Sequence, residues 1–105
     1  MAKIPAQIIK KIKRYLNEIE NENIHIEQAY LYGSYSTGKH TEFSDIDIAL
    51  VSKDFQGSRY NDNLRLLDAG LKVDSSISPI TYRPEDFTPD NLFVKEILKH
   101  GIRIV

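Results

Sequence analysis

The sequence predicts an α+β fold, a small mixed β-sheet flanked by helices, and three observations carry that prediction. Apolar residues recur at helical spacing towards both ends of the chain, at Ile8, Ile12, Tyr15, Leu16 and Ile19 and again between Pro89 and His100. Between them lie short runs rich in aromatic and β-branched residues, Ala29-Tyr30-Leu31-Tyr32 and Ile46-Asp47-Ile48-Ala49-Leu50-Val51. The segments alternate as helix, strand, loop, strand, helix, strand, helix, which suits a mixed sheet with helices packed against it. A chain of 105 residues has material for one core, so residues 1–105 read as a single domain.

The first helix begins at Pro5, whose missing N–H costs nothing in a first turn, and Asn21-Glu22-Asn23 ends it. A strand starting shortly after Ile24 runs through Tyr32. Gly33 to Ser44 forms a loop with a helical turn in it, and the strand Ile46 to Val51 follows. Ser52 to Gly57 is a polar connection. Ser58 can cap a helix that carries Leu64, Leu66 and Leu67 and that Gly70 closes. Leu71 to Ser78 alternates as a third strand stopped by Pro79, with Lys72, Asp74, Ser76 and Ser78 on one face and Leu71, Val73 and Ile77 on the other. Pro84 and Pro89 punctuate a loop, and the last helix runs from about Pro89 to His100. Gly101 stops it, and Ile102 to Val105 makes a short terminal strand. The helices cover one face of the sheet and leave the acid-bearing face free for a ligand.

Composition narrows the function. Hydrophobic residues make up 41% and charged residues 28% of the chain, an ordinary range for a folded soluble domain. The formal charge of −1 argues against binding long nucleic acid, which needs a basic surface. Lys10, Lys11, Lys13 and Arg14 read as a solvated helix face. There is no cysteine, which excludes disulfides, thiol catalysis and cysteine-based zinc sites. The start, Met-Ala-Lys-Ile-Pro, lacks the apolar run of a signal peptide, and no segment is apolar enough for a membrane span. A cytoplasmic protein is expected.

The chemistry concentrates in residues 33–47. Gly33-Ser34 after a strand lets backbone approach a ligand, and the hydroxyl and successive N–H groups can hold phosphate oxygens. Gly38 gives a second flexible point and Lys39 adds positive charge. Asp45 and Asp47 project to the same side of a strand, which suits a hard divalent cation. Mg²⁺ there would bridge the phosphates of a nucleoside triphosphate. Asp74, on the expected third strand, would complete the metal site or accept a proton from an attacking hydroxyl. Residues 33–39 also match the first seven positions of a P-loop. The match ends at His40, and a strand follows almost at once where a P-loop runs into a long helix, so that reading is rejected.

Gly33-Ser34, ten residues, then Asp45-Ile46-Asp47 resembles the Gly-Ser-x10-Asp-x-Asp signature of the minimal nucleotidyltransferases, in the DNA polymerase β-like nucleotidyltransferase superfamily. The first helix, Val73-Asp74 and the ending Ile97 to Ile102 are similar to further parts of that family. The resemblance implies a polymerase β-like palm fold and transfer of a nucleoside monophosphate, AMP from ATP, to a hydroxyl acceptor with release of pyrophosphate. It implies Asp45, Asp47 and Asp74 as catalytic and Mg²⁺-binding residues, with one or two ions. Gly33, Ser34, Thr37, Gly38, Lys39 and Ser44 would bind the nucleotide. Thr37 departs from the family, which often has Arg there. Small members resemble antitoxins that modify or bind a HEPN-domain partner protein, so such a partner is expected, and a homo-oligomer is open. A binding module without chemistry and an antibiotic-type transferase are the alternatives. An open site without a second domain favours the protein acceptor. His25, His40 and His100 have no ligand spacing and read as structural or exposed. Tyr30 and Tyr32 read as core, and Tyr35 as core or base-stacking.

Overall fold

The computed structural model describes residues 4–105. Its elements are α1 (Ala6–Asn21), β1 (Gln28–Tyr32), α2 (Ser34–Thr37), β2 (Ile46–Val51), α3 (Arg59–Val73), β3 (Ile77–Tyr82), α4 (Leu92–His100) and β4 (Ile102–Arg103), with a short 3₁₀ turn at Pro84–Asp86. The sheet order is β3-β2-β1-β4. β1 is antiparallel to β2 and β4, and β2 is parallel to β3. The mixed sheet has the predicted α+β character. The parallel pair exists because α3 provides the crossover that a parallel connection needs.

Each face follows from strand alternation. One face presents Ala29, Leu31, Ile46, Ile48, Leu50 and Ile77 to α1 and α3, which bury Ile8, Ile12, Tyr15, Ile19, Leu66 and Ala69 against them. Each large apolar side chain so buried contributes about 1.5–3 kcal/mol. The apolar stripe of α1 is therefore core. The opposite face carries Tyr30, Ala49, Val51 and Tyr82 beneath Phe87 and the α4 residues Val94 and Ile97. The acid-bearing face is thus not wholly free: α4 covers part of it, and what stays open is the end bearing Tyr32, Asp47 and Ser78.

The region after Leu67 departs from the expected third strand. α3 does not close at Gly70 but runs on to Val73, and β3 begins only at Ile77. Val73 packs against the core, which rewards another helical turn. Asp74 then accepts from the Ser76 N–H at 2.8 Å and its hydroxyl at 2.7 Å, an Asx turn that reverses the chain into β3. Pro79 lies inside β3 rather than stopping it, as an edge strand allows. α4 starts at Leu92, where the Asn91 side chain accepts from the N–H groups of Phe93 (2.9 Å) and Val94 (3.2 Å).

Candidate active site

β1 ends at Tyr32 and the chain turns at Gly33, with φ 73° and ψ −146°. That region is nearly closed to residues with a side chain. A Cβ on Gly33 would run into the Asp47 carboxylate, so glycine is required twice, by conformation and by space. The turn opens α2, four residues long, whose first N–H groups have no partner within the helix. Ser36 Oγ donates to the Gly33 carbonyl at 2.9 Å, and the Thr37 hydroxyl lies 3.4 Å from the Gly33 and Ser34 carbonyls. Gly38 ends the turn in the left-handed conformation at φ 77°. Lys39 is exposed, and its N–H donates to the Ser34 carbonyl at 3.0 Å. A four-residue turn followed by a strand bears out the rejection of a P-loop.

The chain returns through Ser44, whose hydroxyl accepts the Thr41 N–H at 2.8 Å. Asp45 follows, exposed, just ahead of β2, and Asp47 sits half-buried in the strand. Burial first, and the Asp45 charge second, hold the Asp47 carboxyl above its ordinary value. A half-buried carboxylate whose charge a neighbouring one opposes fits a hard divalent cation, which would take both with substrate phosphates and water as further oxygens. Asp47 is in register with Tyr32 on one side and Ser78 on the other, so the three side chains form one row across β1, β2 and β3. Burial, then Asp47, pushes the Tyr32 phenol up to about 12, so it remains a hydrogen-bond donor at neutral pH.

Asp74 stands elsewhere. It ends α3 and its carboxylate takes the Lys11 ammonium at 2.6 Å, tying α3 to α1. Lys11 first, with the two Ser76 donors, lowers its carboxyl to about 2. Of the nine expected site residues, Gly33, Ser34, Thr37, Gly38 and Lys39 share one turn, and Ser44, Asp45 and Asp47 meet it on the returning segment. Asp74 does not join them, and the β3 position beside Asp47 belongs to Ser78. Among the described residues no three His, Asp or Glu side chains group as a metal site.

Sequence reasoning missed the contribution of α4. A cleft of about 200 Å³ lies between the Gly33 turn and α4, walled by Tyr32, Gly33, Thr37, Phe93, Glu96 and His100. The Phe93 ring meets Tyr32 edge-on at 5.5 Å, and His100 lies 3.5 Å from Glu96. Only the helical period of α4 hinted at which residues would face the turn. Phe43, exposed in the loop two residues before Asp45, was also passed over. His40 stacks on the buried Tyr35 at 4.5 Å, which gives both rings a structural place in the loop.

A glycine turn packed against an Asp-x-Asp strand, on a four-stranded mixed sheet, defines a nucleotidyltransferase domain. Residues 10–105 match the family model described as polymerase β, nucleotidyltransferase, and the chain belongs to that family. A protein of Methanocaldococcus jannaschii named "putative protein adenylyltransferase MJ0141" is 27% identical over 100 residues, covering 93% of this chain and 96% of that protein. A crystal structure described as a "putative nucleotidyltransferase" from Sulfolobus solfataricus superposes with a TM-score of 0.66 at 19% identity, covering 98% of this chain and 89% of the other. A mutant of the toxin–antitoxin pair MntA–HepT superposes with a TM-score of 0.61 at 20% identity, over 92% of this chain and 72% of that one. The last two likenesses show the fold. No helix among the described residues is long and apolar enough to cross a membrane.

Proposed function

We propose that this chain transfers AMP from ATP to a hydroxyl of a partner protein, a HEPN-type toxin that it thereby silences. The observation that carries the reading is the packing of the Asp47 carboxylate against the Gly33 turn, which sets the acids beside a phosphate-sized loop. The first N–H groups of α2, ahead of the Ser36 and Thr37 N–H groups that donate to the Gly33 carbonyl, would hold the triphosphate with the Ser34 hydroxyl and Lys39. Asp45 and Asp47 would hold Mg²⁺, which when bound offsets charge on the reacting phosphates. The acceptor hydroxyl attacks the α-phosphorus as pyrophosphate leaves. The name of the archaeal relative supports a protein acceptor, and so does the exposure of Asp45 and Ser78 at the surface. Incubation with labelled ATP, Mg²⁺ and the protein encoded next to this one should label that protein, and Asp47→Asn should abolish the label. Equal labelling by wild type and variant would refute the proposal.

One observation favours a second reading, a module that binds its partner without chemistry. Asp74 is committed to Lys11, and Ser78 stands where a third carboxylate would meet Asp47. On this reading the double variant Asp45→Ala, Asp47→Ala still silences the partner. Binding retained with silencing lost would exclude it.

A further inference from the structure

α3 is apolar on two opposite sides. Successive residues of an α-helix turn by about 100°, so the buried residues Asp62, Leu66 and Ala69 share one direction while Tyr60, Leu64, Leu67 and Leu71 point about 160° away from it. These four are 75%, 54%, 56% and 67% exposed. Their spacing of four, three and four residues is that of a seam meant for another helix. Lying opposite the core, the stripe cannot be covered by this chain's own sheet. Beside it, between α3, α1 and the edge strand β3, runs a groove of about 230 Å³ lined by Tyr15, Leu67, Gly70, Leu71, Asp74 and Pro79.

We propose that two copies of this chain pair through α3, antiparallel about a two-fold axis between Leu64 and Leu67. The stripe is self-complementary under that operation. Leu64 of one copy meets Leu67 of the other, and Tyr60 of each reaches the Leu71 end of its neighbour. There the groove accepts the tyrosine ring, and Oδ2 of Asp74 in its wall, which takes only the Lys11 ammonium, keeps a lone pair for the phenol O–H, which needs a partner once buried. Charge agrees with the pairing. The rims hold Asn61 and Asp68 on one side and Asn63 and Gly70 on the other, so Asp68 faces Asn61 of the second copy and no carboxylate of the seam faces another. Asp68 also carries its own counterion, Lys72 at 3.0 Å. The four side chains offer on the order of 500 Å² of apolar surface, as large as the largest patch on a typical monomer. Two copies together offer on the order of 1,000 Å², about the least that a specific interface buries. The interface is isologous, as a two-fold pair requires.

Sedimentation velocity on the full chain tests this. Wild type should pass from monomer to dimer with rising concentration, and Leu67→Glu should weaken the dimer by more than about tenfold. Leu67 is exposed, so an unchanged circular dichroism spectrum will show that the variant folds. Because the chain has no cysteine, Leu64→Cys and Leu67→Cys chains can be mixed: the antiparallel pairing makes the mixture cross-link faster than either variant alone. A chain that stays monomeric at about 200 µM overturns the proposal. So does a dimer that Leu67→Glu leaves intact, or cross-linking no faster in the mixture.

Discussion

Gly33 couples the glycine turn to the acids at the smallest scale. Its φ of 73° and the Asp47 carboxylate pressed against it both exclude a side chain. Gly33→Ala should cost about 1–3 kcal/mol from backbone strain alone. It should cost activity further, because Asp47 must move or the turn must open. Thermal unfolding and the labelling assay together check this, and a variant with wild-type stability would show that the turn relaxes freely. Asp74 gives the contrary expectation. Since Lys11 and Ser76 hold its carboxylate, Asp74→Asn should leave the rate of transfer within about twofold of wild type, while on the proposed function loss of Asp45 or Asp47 would remove a Mg²⁺ ligand. A loss of activity in Asp74→Asn as large as in Asp47→Asn would return Asp74 to the site.

At the scale of elements, much was legible because local signals and tertiary packing agreed. The period of α1 runs through Ile8, Ile12, Tyr15 and Ile19, and all four are core. β1 and β2 were marked by their composition, and the glycine turn between them by its spacing to the acids. The segment from Gly70 to Pro79 was misread for a physical reason. Leu71-Lys72-Val73-Asp74 satisfies both an alternating strand and the end of an amphipathic helix, and the choice rests on Val73 meeting the core and on Pro79 falling on an edge. Neither is visible in a single sequence. The placement of Asp74 followed that error. The observed placement makes the Lys11–Asp74 pair a clasp between α1 and α3. Lys11 is 40% exposed, so Lys11→Met should cost less than about 1 kcal/mol at neutral pH. The same change should raise the Asp74 carboxyl from about 2 towards its ordinary 3.8, readable by NMR titration. Because the folded value is the lower one, the clasp's contribution is complete above the ordinary value. It fades as pH falls through about 2. An unshifted Asp74 in Lys11→Met would mean that the Ser76 donors hold it alone.

For the whole molecule, the acid pair sets stability against function. The Asp47 carboxyl titrates above its ordinary value because burial and Asp45 both oppose its charge. The native state therefore binds that proton more tightly than the unfolded chain does, and stability declines as pH rises through the folded value. At neutral pH without metal, the Asp47 charge is a cost that the sheet carries. Asp47→Asn removes the charge and keeps the shape, so it should raise the melting temperature of the metal-free protein by up to a few degrees while abolishing transfer. Mg²⁺ with ATP should reverse the order, since a ligand that binds only the native state stabilises it by mass action and the variant has lost a ligand to it. Melting curves of both proteins, with and without Mg²⁺ and ATP, measure this as a crossing. If Asp47→Asn melts lower than wild type in metal-free buffer, the carboxylate is a structural acceptor, and the tension between the two acids is not what poises the site for a cation.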